Sequence, residues 1–172
     1  MEPLTEPSRI TSAFGKNKMD INQLDLRPAR EEDRSFCYEV KKAALRSYVE
    51  PIWGWNENEQ KEFHRKDWDE QKPEIITLDG EDIGTIEIVR KEKELHLGEF
   101  YLFPEFQKQG IGSHFMDRLI QEADSKVLPT KLEVIKINPV KSLYLRYGFK
   151  DTGETKTHFL MKREPKSGSH GH

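Results

Sequence analysis

The sequence predicts an α/β (α+β) fold, a sheet flanked by helices, and three observations point to it. Along the 172 residues, short apolar runs with period-two alternation give way to longer runs with helical spacing. Between Leu95 and Ala123 a strand-like run ends at Pro104, glycines follow at Gly110 and Gly112, and Ile111, Phe115, Leu119 and Ala123 then repeat every four residues. A second handover follows, where Lys131 to Ile137 alternates as a strand and Asn138-Pro139 opens a helix. This length suits one domain with a real core and leaves little room for two.

Residues 1–23 mix Pro, Ser, Thr, Asn and Gly without periodicity and read as a flexible arm, docked in part through Ile10, Phe14 or Ile21. The folded domain is expected over 24–164. Its first strand runs from Leu24 to Arg27 and is closed by Pro28. Ala29 to Asp33 opens a helix with acidic residues in its first turn, as the helix dipole favours. Phe36, Val40, Ala43, Ala44 and Tyr48 form its apolar stripe, and Cys37 beside them reads as a small core residue. Pro51-Ile52-Trp53-Gly54-Trp55 breaks that pattern. Asn56 caps a second helix to about Gln71, with Glu59 in capping-box position. Only Phe63 and Trp68 give this charged helix an apolar hold. Trp53 and Trp55 either pin it to the body or wall a substrate pocket.

Glu74 to Leu78 is a strand, Asp79 to Asp82 a turn, and Ile83 to Val89 the next strand. In the strand that follows, Leu95 and Leu97 share one face while Phe100 and Leu102 take the opposite parity. A one-residue bulge between Gly98 and Tyr101 accounts for the slip. After the helix from Ile111 come a turn at Leu128-Pro129, the strand from Lys131, and a helix carrying Leu143 and Tyr144 that Gly148 ends. Strands from Phe149 to Thr152 and from Lys156 to Arg163 finish the sheet. Residues 165–172 read as a disordered tail, whose His170 and His172 are poor evidence of a metal site.

Composition excludes several classes. Net charge is −3 and no basic block stands out, so no nucleic acid partner is expected. No run approaches the roughly 20 apolar residues of a membrane span, and the N-terminus has no apolar signal region. The single Cys37 permits no intramolecular disulfide and fits a reducing compartment. No membrane association, a cytoplasmic location and no metal are the expectations; a homodimer is left open.

The glycines carry the functional signal. They sit where a strand hands over to a helix, whose first turn leaves N–H groups unpaired and whose dipole favours an anion. The dinucleotide fingerprint needs a small residue where Phe115 stands, and the P-loop needs Lys where Ser113 stands. The run LFPEFQKQGIGSHFMDRLI instead resembles motif A of the GCN5-related N-acetyltransferase (GNAT) superfamily, with Gln107, Gly110 and Gly112 at Q-x-x-G-x-G spacing. LEVIKINPVKSLYLRYGFK resembles that family's motif B, with Val140 where alanine is usual. The two motifs stand in the family's order, and the resemblance covers residues 24–163.

What the resemblance implies is a small single-domain member. Its fold would be a mixed, mostly antiparallel sheet of six to seven strands with about four helices, the fourth and fifth strands splayed around a bulge to admit the pantetheine arm. The co-substrate would be acetyl-CoA. Leu102, Gln107, Lys108, Gln109, Gly110, Ile111, Gly112 and Ser113 would hold it, the loop amides taking the pyrophosphate. Asn138 would hydrogen-bond the pantetheine or place the attacking nitrogen, unless it serves only as a helix cap. Tyr144 matches the tyrosine near the CoA sulfur and would be the general acid, its alternative being a tyrosine packed on the core. With no Cys-His pair evident, direct attack on the thioester is more economical than an acyl-enzyme. The base stays open among Glu99 on the bulged strand, Glu133 on the fifth strand, His96, and a water chain. The implied activity is acetylation of a primary amine, small or on a protein. A non-catalytic acyl-CoA-binding or sensing module on the same fold is the alternative.

Overall fold

The computed structural model describes residues 19–166. Ile10 and Phe14, most of the expected arm, and the tail histidines lie outside the described residues. Seven strands form one sheet: β1 (Leu24–Pro28), β2 (Glu74–Leu78), β3 (Glu81–Arg90), β4 (Leu95–Leu102), β5 (Thr130–Ile135), β6 (Lys150–Glu154) and β7 (His158–Arg163). Their order is β1-β2-β3-β4-β5-β7-β6, and every pairing is antiparallel except β4 with β5. The helices are α1 (Arg34–Trp53), α2 (Glu57–Glu70), α3 (Ile111–Lys126) and the short α4 (Lys141–Arg146). This is the mixed, mostly antiparallel sheet with four helices that the two motifs imply.

The parallel pair is short. β4 meets β5 only at Leu95, Leu97 and the residue between them, although β4 continues to Leu102 and β5 to Ile135. Beyond Leu97 the two strands part, and β5 keeps its other neighbour, β7, along its whole length. The bulge lies at the parting. Ile86 pairs with Phe100 but Ile88 pairs with Leu97, so Gly98 and Glu99 together oppose Glu87. The extra residue returns Phe100 and Leu102 to the face of Leu95 and Leu97, which is the parity slip visible in the sequence. Phe100 meets Phe115 of α3 edge to face at 6.3 Å.

The two faces of the sheet are packed unequally. On one, α3 buries Ile111, Phe115, Met116, Leu119 and Ala123 in a large cluster with Leu95, Leu97, Leu132, Phe149 and Met161. Each such side chain contributes roughly 2 kcal/mol. The opposite face holds a small cluster of Cys37, Trp68 and Ile75, with Ala29 and Phe36 against it. Burial pushes the Cys37 thiol up to about 12, so it is an inert core group. Met19 and Ile21, ahead of β1, pack on the larger cluster.

Local differences from the sequence reading have plain causes. A 3-10 turn at Glu31–Asp33 precedes α1, and the buried positions of α1 are Cys37, Tyr38, Val40, Leu45 and Val49, so that of the expected stripe Val40 is buried and Phe36 packs against the small cluster. Ala44 and Tyr48 look into a cleft instead. Helix α1 also runs through Pro51, because only its last turn loses a bond there, and ends at Gly54 with φ 77°. In α2, Asn56 caps as expected, its Oδ1 accepting the Glu59 N–H at 2.9 Å. Its apolar hold differs: Trp68 is buried and Phe63 is 48% exposed, with His64 buried in its place. Arg27 ties the start of α1 to the sheet by donating to Asp33 and Asp82, both at 2.9 Å. At the far edge every residue of β6 is exposed, and its register slips between Asp151 and Gly153.

Candidate active site

The end of β4 leads into a 3-10 turn, Pro104–Phe106, which Phe106 anchors in the core. The loop after it is shaped by its own side chains. Gln107 Nε2 donates to the Leu102 carbonyl at 2.9 Å, and Gln109 Nε2 donates to that of Glu105 at 2.6 Å. Lys108 and Gly110 both take left-handed backbone, with φ 61° and 91°. For Gly110 that conformation is free of strain, and no atom lies within 4 Å of where a Cβ would stand. The first helical bond of α3 runs from His114 N–H to the Gly110 carbonyl, 3.0 Å. The N–H groups of Ile111, Gly112 and Ser113 therefore have no acceptor within the helix. A Cβ on Gly112 would stand 3.2 Å from Leu143 Cδ2, so the helix start and α4 approach as closely as a glycine allows.

These groups border a cleft of about 500 Å³ between the ends of β4, α3 and α4. Leu102, Gln107, Lys108, Gly110, Gly112, Ser113 and Asn138 line it, as do Phe100, Leu143 and Arg146, with Ala44 and Tyr48 of α1 on the far wall. Asn138 Oδ1 accepts the Val140 N–H at 3.0 Å and so caps the turn into α4. Three of the residues named from the sequence for the co-substrate are not on the lining. Ile111 is buried in the core, so only its backbone is available. Gln109 is spent on the loop. Tyr144 is 5% exposed and packs edge to face on Phe149 at 6.0 Å, and burial alone pushes its phenol above the ordinary value.

A second cavity, of about 800 Å³, lies across the bulge between α1, α2 and the sheet. Tyr101 is on the lining of both cavities. Trp53 and Trp55 border this groove, together with Phe63 and Val49. Trp55 is also a structural pin. Its Nε1 donates to Glu57 at 3.0 Å, and the same carboxylate accepts from Tyr38 and Lys42. Five carboxylates face the groove, Glu59, Asp67, Glu70, Glu87 and Glu99, against Lys41 and Lys66. Burial raises Glu99 above the usual carboxylate range, with Lys41 opposing and Asp67 adding to it. Burial likewise lifts Tyr101, helped by the Glu99 charge.

The other base candidates lie elsewhere. Glu133 is exposed on β5 and His96 is half-buried on β4, and neither lines either cavity. Sequence reasoning missed Glu87, Tyr101 and the α2 carboxylates. Glu87 sits between Ile86 and Ile88, where simple alternation marks an outward, solvated residue. Its only signal was its place opposite the bulge. Among the described residues no group of three or more His, Cys, Asp or Glu has a metal-holding arrangement, and no helix is long and apolar enough to cross a membrane.

The acetyltransferase (GNAT) domain family matches residues 47–159 of the chain. Among solved structures, the fold is similar to the PaiA N-acetyltransferase from Thermoplasma acidophilum, solved in complex with coenzyme A. That match has 21% identity and a TM-score of 0.66, and covers 82% of this chain and 98% of that one. An acetyltransferase from Thermus thermophilus matches at 16% identity and TM-score 0.65, over 85% of this chain and 99% of that one. The ribosomal-protein-S18-alanine N-acetyltransferase from Escherichia coli matches at 17% and 0.59, over 82% and 93%. At these identities the likeness is one of fold. No curated protein sequence matches the chain.

Proposed function

Because the chain belongs to the GNAT family of acetyltransferases, we propose that it moves an acetyl group from acetyl-CoA to a primary amine by direct attack on the thioester. The observation that carries this reading is that two cavities share Tyr101 as a lining residue, just past the point where β4 and β5 part. One is bounded by an unpaired helix start and can take an anion; the other is aromatic and acidic and can take an amine. The pyrophosphate sits on the N–H groups of Ile111, Gly112 and Ser113, with Lys108 and Arg146 adding charge. The pantetheine arm runs past Asn138 toward the strand split. Trp53 and Trp55 flank the acceptor.

Transfer forms the amide N–C bond and breaks the C–S bond, and the departing thiolate needs a proton. A phenol is suited to give it, for about 10–1,000-fold in rate. Tyr144 holds the motif position for that role. Tyr101 is a second reading, favoured by its place on both cavities. Release of free thiol from acetyl-CoA in the presence of a panel of amines tests the function. Acetyl-CoA at 100 times its Kd should also add about 2.7 kcal/mol of stability. Binding without turnover on any amine would overturn catalysis and leave a thioester-binding module; no binding would overturn the reading altogether.

A further inference from the structure

A primary amine is an ammonium at neutral pH, and it must shed a proton before its lone pair can attack. A site that uses such an acceptor needs a place for the cation and a group to take that proton. The bulge provides both in one spot. Because Gly98 and Glu99 oppose Glu87 as a pair, the three positions project to the same side of the sheet. Gly98 carries no side chain there, and a Cβ on it would collide with the Glu87 carboxyl. The glycine is thus the notch in which Glu87 rests. Glu87 and Glu99 both line the groove together with Tyr101, the residue that the groove shares with the cleft.

The surrounding charges single out Glu87. From α1, Lys41 faces Glu99 and stands 3.8 Å from Asp67, so its charge is taken up there. The groups acting on Glu87 are Glu99 of β4 with Asp67 and Glu70 of α2, all of one sign. We propose that Glu87, with Glu99, seats the acceptor's ammonium at the bulge, and that the Glu87 carboxylate takes the proton this ammonium gives up. The proposal rests on the acetyl-transfer reading above. Burial, then the charge of Glu99, brings Glu87 to about 7, which suits a base working near neutrality. The step balances: the ammonium N–H bond breaks, an O–H bond forms on Glu87, and the freed lone pair attacks the acetyl carbon. As the adduct collapses the C–S bond breaks, the nitrogen gives up a second N–H proton that replaces the one the thiolate takes from the phenol, and Glu87 returns the first to solvent. The same acidity narrows the acceptor class to amines with no carboxylate beside the reacting nitrogen, such as amino-acid amides, peptide N-termini and alkylamines.

The test uses the full chain, acetyl-CoA, and two probe pairs: phenylalanine amide against phenylalanine, and benzylamine against benzyl alcohol. Glu87→Gln should lower kcat/KM for phenylalanine amide by at least about tenfold and abolish the rise of rate through neutral pH, with CoA affinity unchanged. Glu87→Asp should be intermediate, and Glu92→Gln, on the exposed β3–β4 turn, should match wild type. Phenylalanine and benzyl alcohol should be poor partners. Carboxyl NMR of isotope-labelled glutamates in the wild-type protein keeps the test independent of variant folding. Benzylamine should move the Glu87 titration downward, since a nearby cation favours the ionised form, and benzyl alcohol should not. Wild-type kinetics and pH profile in Glu87→Gln, or a Glu87 titration that neither amine moves, would overturn the proposal. Movement of that signal without any acetyl transfer would instead uphold the amine seat and overturn the acetyl-transfer reading.

Discussion

The two cavities share Tyr101 but are made of different material. The cleft is mostly backbone: three N–H groups at the start of α3, two left-handed loop residues, and a glycine pressed against Leu143. The groove is mostly side chain, with carboxylates and aromatic rings brought in by α1 and α2 from far along the chain. The helices differ in the same way. Helix α3 is fastened by a large apolar cluster, whereas α2 is held by Trp68, His64 and polar ties such as Trp68 Nε1 to Glu31 at 3.1 Å. A chemically constant ligand part, the diphosphate, suits a rigid backbone cradle. The partner that varies among acceptors suits replaceable side chains on a lightly fastened helix.

Four tests break or sharpen this contrast. The largest effect is expected in the backbone cradle. Gly110→Val forces a β-branched residue into left-handed backbone, and Gly112→Val drives a side chain into Leu143. Either should weaken CoA binding by roughly 100-fold with the fold retained, read by calorimetry, because the loop amides leave their positions. CoA affinity within threefold of wild type would show that side chains, not backbone, hold the anion.

Next comes the chemical step between the cavities. Tyr144→Phe should leave stability nearly unchanged, since its hydroxyl makes no hydrogen bond among the described residues and burial is all that shifts it, and kcat should fall roughly tenfold if that phenol protonates the thiolate. If Tyr144→Phe turns over normally while Tyr101→Phe shows that loss, the acid belongs to the residue lying on both cavities.

The third effect concerns how α1 is attached on the groove side. The Arg27 guanidinium holds Asp33 down at about 2, its hydrogen bond outweighing burial. A lowered carboxylate stabilises the fold above its unfolded value near 4, and the gain is lost as pH falls toward 2. Discounted for solvent screening, it is ~1 kcal/mol. Urea unfolding of wild type and Arg27→Met should differ by that amount at neutral pH and converge in acid. A constant difference would assign Arg27 to packing alone.

The smallest expected effect is at the groove wall. Trp55→Ala should raise the KM of a bound amine about threefold, with CoA affinity nearly unchanged. Lost stability without a selective amine effect would make Trp55 only the pin that its bond to Glu57 suggests.

Legibility in the sequence followed the same division. The handover at Gly110 and Gly112, the bulge at Gly98 and the helix cap at Asn56 are local, and each could be read from a few neighbouring residues. The parity slip between Leu97 and Phe100 marked the bulge, whereas the parting of β4 from β5 was an expectation only through the family resemblance. Glu87 could not be found this way, because its burial depends on helices 20 to 50 residues earlier in the chain folding across it. Phe63 misled for the same reason: apolarity favoured it as an anchor, but the helix phase set by Trp68 turned His64 inward. Pro51 signalled a break that came only at Gly54, since a last turn tolerates a missing N–H. Tyr144 was named as an acid from its motif, while its contact with Phe149 is a matter of packing that no motif reveals.

Among the described residues the sheet ends at β1 and β6, and both margins are poor templates for another strand. On the β1 side, Pro28 offers no N–H, and Arg27 is drawn into ties with Asp33 and Asp82. On the β6 side, Lys150, Asp151 and Glu154 crowd a strand of five residues whose spacing slips at Thr152. An incoming chain would meet charge, curvature and mismatched bonding at that border. The described fold can therefore hold its central strands apart, leaving main-chain groups of β4 and β5 unpaired with each other beyond Leu97, while its outer strands resist an added neighbour.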